Sequence, residues 1–243
     1  MRLRLPQERP EQPPTGFKLA HPVLSHDGAR AGFAGVSIGG ALPYGFLDDA
    51  RCVYGRRHRS PAPRCDCGFY CLHARDEALA LACATEYRQA VLLEVTVLGA
   101  YIRFERGMRY ARQRVRVARV GACACGLTPC AFVDAGWGRT GWRVLTAACA
   151  GCAVRRGAPG VAARTAVGFA EFVRLGGGRL RIVAEGERTG EQVRCDSRAR
   201  RTGSSGRTGR TGRARRMVRV AGGRTDRARR PGVRCRSWRP RRR

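Results

Sequence analysis

Apolar and polar positions alternate most regularly from Tyr110 to Val120, where Val115 and Val117 fall on one side of an extended chain and Arg112, Arg114 and Arg116 on the other. One strand register therefore buries the valines and exposes a row of guanidinium groups. Upstream, Gly68 to Leu72 reads as a short buried strand. Asp76 is placed to cap a helix reaching to about Arg88, with Leu79, Cys83 and Tyr87 four residues apart on one face. Ala90 to Leu98 is a Val- and Leu-rich strand, Gly99 interrupts it before Ala100 to Arg106, and Gly107 turns the chain into Tyr110. Weaker apolar runs, Phe33 to Ile38 and Leu42 to Phe46, predict short strands broken by glycine. Phe169, Phe172 and Val173 mark a helix within Thr165 to Leu175, and the glycines 176–178 turn into a strand from Leu180 to Ala184.

These elements predict an α+β protein: a small, mostly antiparallel sheet with one main helix, a β-hairpin module and a basic tail. The expected organisation is a disordered leader over 1–15, an α+β domain over 16–120, the hairpin module over 121–156, a helix and strand packing on the core over 157–188, and a disordered Arg/Gly-rich tail over 189–243.

Charge sharpens that division. The net charge is +30, of which the segment from Thr189 onward, with 20 arginines against Glu191, Asp196 and Asp226, supplies +17. An acidic partner, nucleic acid or an acidic protein surface, is the electrostatic expectation. One lysine, Lys18, stands among 48 basic residues. Arg, Ala, Gly and Pro have GC-rich codons, so the imbalance also fits a GC-rich gene, and the tail fits either a phosphate-binding arm or a frame read past its useful end. The polar, proline-bearing amino terminus lacks the apolar run of a signal peptide, and Ala90 to Ile102 is too short to span a bilayer. The expectation is a cytoplasmic protein without a membrane role, whose twelve cysteines bind metal or are buried rather than forming disulfides.

The cysteine spacing carries the chemistry. Cys125 and Cys130 are separated by four residues and Cys149 and Cys152 by two, with 18 residues between the pairs. Ala131 to Asp134 and Trp142 to Thr146 read as the arms of a hairpin that returns the chain to the second pair. That order, knuckle, hairpin, knuckle, is zinc-ribbon-like and predicts a structural Zn²⁺ on four thiolates. Cys123, on the same side of an extended chain as Cys125, is the alternative first ligand. Around the hairpin, Arg139, Arg143, Arg155 and Arg156 join Arg112, Arg114 and Arg116 as candidate nucleic-acid contacts, with Trp137 or Trp142 for base stacking.

A second constellation, Cys65, Cys67, Cys71 and His73, predicts a possible second metal site, with Cys52 and His58 upstream competing with His73 as a ligand. The same residues offer the alternative of an enzyme housed in residues 16–120, with Cys67 or Cys71 as nucleophile and His73 as base, the zinc module being structural only. No third orienting residue, paired carboxylates or phosphate-binding glycine loop accompanies them, so the sequence names no catalytic residue.

Gly16-Phe17-Lys18, Cys65-Asp66-Cys67-Gly68-Phe69-Tyr70 and Glu105-Arg106-Gly107-Met108-Arg109-Tyr110-Ala111 resemble segments of a group of uncharacterised proteins from GC-rich actinobacteria. These share a Cys-x-Cys-Gly-aromatic-Tyr stretch, a helix and a strand pair. Met108 stands where that pattern has an aromatic residue. The resemblance covers about residues 16 to 120 and implies no activity.

Overall fold

A computed structural model describes residues 12–36, 42–82, 89–156 and 166–185. Ten strands join in one sheet: β1 (Thr15–Ser25), β2 (Ala31–Gly35), β3 (Leu47–Asp49), β4 (Phe69–Leu72), β5 (Val91–Arg103), β6 (Gly107–Val120), β7 (Ala131–Arg139), β8 (Trp142–Ala148), β9 (Val167–Gly168) and β10 (Arg181–Ala184). The helices are short: α1 (Arg75–Ala82), α2 (Ala150–Arg156) and α3 (Phe169–Leu175). The α+β expectation, mostly antiparallel, is what the structure shows, and β10 on β6 is the one parallel pairing among the described strands.

The long β5–β6 hairpin is the spine. β1 pairs with β5, β5 with β6, β6 with β4, and β4 back with β1, so the pairings close a circuit around the main core. Val115 and Val117 are buried while Arg112, Arg114 and Arg116 are exposed, as the alternation requires. Two strands were expected either side of Gly99, and the structure has one. Gly99 takes φ +69° and the register shifts between Leu98 and Tyr101, so the glycine accommodates a bulge that bends β5 without ending it.

Inward residues of β1, β5 and β6 meet the aromatic cluster Phe33, Phe46, Phe132 and Phe172, which seats α3 on the sheet. The hairpin expected as a module of its own is β7–β8, and its second strand pairs with β1 from Val23↔Val144 to Ser25↔Trp142, so it extends the same sheet. Segments 1–11, 83–88 and 186–243, which hold most of the expected leader, the end of the expected main helix with Cys83 and Tyr87, and the basic tail, lie outside the described residues. Among the described residues, no helix is long and apolar enough to cross a membrane.

Candidate metal centres

Chain path and turn geometry bring two groups of four ligands together. In the first, β6 delivers the chain to Cys123, and a turn closed by Gly126 N–H on the Cys123 carbonyl (2.7 Å) and Cys123 N–H on the Leu127 carbonyl (2.9 Å) folds Cys125 back beside it. Gly126 has φ +90°, which makes that reversal available. The β7–β8 hairpin then brings Cys149 and Cys152 to the same place, Cys152 riding on α2.

The sulfurs of Cys123, Cys125, Cys149 and Cys152 lie within 4.8 Å of one another. Cys125 and Cys149 are 3.5 Å apart, near the edge of about 3.8 Å that four Zn–S bonds of about 2.3 Å give in a tetrahedron. All nine described cysteines are free.

The structure differs from the sequence expectation on one ligand. Cys130 is exposed and stands outside the group, and Cys123, the alternative, is buried within it. Cys123 joins Cys125 rather than replacing it. The reason lies in β7: the Cys130 N–H bonds to the Ala148 carbonyl (3.0 Å), which places Cys130 at the start of the hairpin ladder rather than in the turn.

Electrostatics favour a shared charge in this group. Burial works against ionisation of Cys123, but backbone amides at Cys125 and Cys149 and the thiols of Cys125 and Cys152 outweigh it and draw its pKa down to about 6. The Leu127 amide favours the Cys125 thiolate, yet the neighbouring Cys123 and Cys149 sulfurs push that thiol up to about 11. Crowded thiols ionise one at a time unless a cation holds them together. Arg155 donates to Cys152 Sγ at 3.2 Å, a guanidinium laid against the cluster.

The second group is Cys52, His58, Cys65 and Cys67, again with ligand atoms within 4.8 Å of one another. The Cys52 and Cys65 sulfurs are 3.8 Å apart, the tetrahedral edge, and His58 Nε2 is 3.0 Å from Cys67 Sγ. Ser60 donates to Cys67 Sγ at 3.1 Å. The loop carrying these ligands is clasped by buried Arg109 of β6, which donates to the carbonyls of Cys65 and, at 3.1 Å, Ala62.

Cys65, Cys67 and Cys71 were expected together, with Cys52, His58 and His73 competing for a fourth place; the structure groups Cys65 and Cys67 with both Cys52 and His58. Cys71 and His73 lie elsewhere. Strand β4 turns Cys71 into the main core, where burial pushes its thiol up to about 11, and His73 Nε2 donates to the Phe104 carbonyl at 3.0 Å. Cys67, Cys71 and His73 therefore occupy three different surroundings, and the nucleophile-and-base alternative finds no assembled pair in them. Cys67 and Cys71 do not share a face, because Cys67 precedes β4 and Gly68 at φ +129° redirects the chain between them.

Of the candidate nucleic-acid contacts, Arg112, Arg114, Arg116 and Arg155 are exposed. Arg112 has a carboxylate near it, Asp49 at 3.8 Å; Arg114 and Arg116 have none within ion-pair distance among the described residues. Arg139 is half-buried, as is Arg143, which donates to the His26 carbonyl at 3.2 Å. Arg156 ends α2. Trp142 packs against Val23, Ala34 and Val144, whereas Trp137 is 45 % exposed.

No protein-family model, curated protein or solved structure matches the chain. The class of protein rests on the geometry: a single mixed sheet bearing two four-ligand Cys/His clusters able to hold metal.

Proposed function

We propose that both clusters hold Zn²⁺ structurally and that the chain acts as a cytoplasmic interaction module for nucleic acid, reading phosphates with the outer face of β6. Sulfur-rich, four-ligand sets suit zinc among the common divalent ions, and a site with all four positions filled by protein has no open place for substrate or water. The metal then contributes shape rather than chemistry.

The observation that carries the nucleic-acid reading is the exposed row Arg112, Arg114 and Arg116, two of whose guanidinium groups have no carboxylate partner among the described residues. Arginine spaced two residues apart on a strand repeats at about 6.6 Å, close to the phosphate-to-phosphate step of a nucleic-acid strand, and its planar fork matches phosphate oxygens. Trp137, exposed beside β8, is the available stacking surface.

The test is the salt dependence of duplex binding by the full zinc-loaded chain and by an Arg114→Glu/Arg116→Glu variant. Loss of two phosphate contacts should lower the slope of log affinity against log salt by about 2, at about 0.9 per neutralised phosphate. An unchanged slope and affinity in a variant that keeps its zinc would refute the role of this face, whatever nonspecific attraction the arginine-rich tail supplies.

A further inference from the structure

The loop that carries Cys52, His58, Cys65 and Cys67 also carries five arginines, Arg51, Arg56, Arg57, Arg59 and Arg64, against one acid, Asp66. All five arginines are exposed. None has a carboxylate within ion-pair distance among the described residues, and Asp66 has Arg109 at 3.9 Å. Their positions follow the ligands: Arg51 precedes Cys52, Arg57 and Arg59 flank His58, and Arg64 precedes Cys65. Four of them are thus one Cα step, about 3.8 Å, from a ligand residue, and the ligand atoms lie within 4.8 Å of one another. Whatever gathers the ligands gathers these arginines around them.

An aromatic ring stands among them. A turn closed by the Gly55 N–H on the Cys52 carbonyl at 3.1 Å, with Gly55 at φ +66°, presents Val53 and Tyr54, which are 48 % and 55 % exposed. The Arg56 guanidinium lies 5.8 Å from the centre of the Tyr54 ring. Folding gains little from a ring left this far in water. A ring face beside a guanidinium is, however, what a nucleotide uses, the base stacking on one and the phosphate pairing with the other. The surface is held from within by the Tyr70 hydroxyl on the Asp66 carbonyl at 2.6 Å and by Arg109 on the carbonyls of Cys65 and Ala62, so its outer side stays free.

We propose that the Cys52–Cys67 loop is a second nucleic-acid surface, one for unpaired strand, on which Tyr54 stacks a base and the loop arginines take the phosphates beside it, the bound metal gathering them. The proposal rests on the nucleic-acid reading above and adds to it a site apart from the β6 face and a form of ligand. Unpaired strand fits better than duplex, because a base inside a duplex is already stacked on both faces and offers none to Tyr54. It fits better than an acidic peptide, whose carboxylates would use the arginines and leave the ring idle.

The test uses the full zinc-loaded chain and a deoxythymidine oligonucleotide of about 12 nucleotides carrying one photoreactive 5-iododeoxyuridine. Irradiation should cross-link it to Tyr54, and because trypsin cuts after Arg51 and Arg56 the product is recovered on the peptide Cys52–Arg56, apart from every peptide of the arginine-rich tail. Tyr54→Ala should weaken the oligonucleotide about tenfold. Arg57→Glu/Arg59→Glu should lower the slope of log affinity against log salt by about 1.4, at about 0.7 per single-strand phosphate, with zinc content unchanged in both variants. An oligouridylate of equal length should show the same Tyr54 loss, since base and phosphate are common to both strands. Arg114→Glu/Arg116→Glu should leave the cross-link in place, so the β6 face can fail without this site failing. Polyglutamate carries the charge without the bases and should bind Tyr54→Ala as it binds the parent; an equal Tyr54 loss with polyglutamate would point to an acidic peptide and overturn the assignment. So would a cross-link confined to tail peptides, or a zinc-loaded Tyr54→Ala chain that binds the oligonucleotide as the parent does.

Discussion

Replacing Lys18 with methionine should stabilise the protein at neutral pH, although it deletes an ammonium that lies 4.7 Å from the centre of the Tyr44 ring and 5.0 Å from that of Phe69. Methionine matches the lysine stem in length and adapts to the surface left by Tyr44 and Phe69. The magnitude follows from the depression of the lysine pKa from 10.5 to about 8 by burial. At 1.36 kcal/mol per pH unit, holding the charged form in the folded state costs up to about 3 kcal/mol, an upper value because Lys18 keeps partial contact with solvent. The sign runs with pH as follows. Below pH 8 the lysine is charged in both states and the full penalty applies to the parent chain. Between about 8 and 10.5 the folded lysine is already neutral while the unfolded one still binds a proton, so parental stability rises with pH. Above about 10.5 the penalty is gone. Urea unfolding of parent and Lys18→Met from pH 7 to 10.5, in zinc-containing buffer with equal m-values as the check, should therefore show an advantage of about 2–3 kcal/mol that shrinks to near zero. Thiolate and metal titrations are common to both chains and cancel in the difference. A methionine variant less stable than the parent at pH 7, or a gap that stays constant across the window, would refute the reasoning.

Metal analysis of the purified chain should give two zinc ions; Cys123→Ser or Cys149→Ser should each leave one, and Cys130→Ser should leave both, the reverse outcome for Cys123 and Cys130 restoring the spacing-based ligand set. His58→Ala or Cys67→Ser should likewise remove one ion, while Cys71→Ser retains two, as read by inductively coupled plasma emission on gel-filtered protein. Val117→Asp should destabilise by about 2–4 kcal/mol, because an unpaired charge would enter the core face of β6, whereas Arg114→Glu on the opposite face should shift the urea midpoint little.

Strand content was legible where one strong rule acted. The valine–arginine alternation of β6 survived intact because both faces of that strand are unambiguous, one packed and one wet. The tip of the β5–β6 hairpin was marked by Gly107, where a Cβ would meet the Cys71 carbonyl. Spacing alone did not separate Cys123 from Cys130, because which cysteines gather depends on where a turn ends and a ladder begins. Cys125 and Cys130 look like one knuckle, but the ladder hydrogen bond of Cys130 to Ala148 takes it out of the turn, and the Cys123-x-Cys125 step supplies both ligands. At the other centre Cys65-x-Cys67 again gives two ligands, and the remaining pair, Cys52 and His58, sits in a proline- and arginine-rich stretch with no periodicity to mark it. The inward lysine left no periodic signal either, since a lone Lys18 between Phe17 and Leu19 reads as ordinary strand alternation with the polar side outward.

The Cys52–Cys67 cluster gathers a part of the chain that the sheet does not. Between β3 and β4, the backbone bonds at Gly55, His58 and Cys65 are local turns, and no strand pairing ties residues 51–68 to the rest. From the sheet, the Tyr70 hydroxyl of β4 donates to the Asp66 carbonyl at 2.6 Å and Arg109 reaches the loop from β6, buried to 5 % with an unpartnered Nε, its nearest carboxylate, Asp66, being 3.9 Å away and largely exposed. A buried guanidinium so weakly compensated is costly in the metal-free chain. Three thiolates and a neutral histidine around Zn²⁺ leave a net charge of about −1, next to Arg109. Four thiolates leave about −2 at the other centre, and there Arg155 donates to Cys152. At the Cys52–Cys67 cluster a loaded site would set a negative charge beside Arg109, which is an electrostatic reason to read that cluster as a metal centre; at the other cluster the Cys123 thiol, drawn down to about 6, supplies a negative charge near Arg155 even without metal. Arg109 also links the Cys52–Cys67 loop to the core, three residues before the arginine face begins at Arg112 and one before Tyr110, whose hydroxyl donates to Gln113 Oε1.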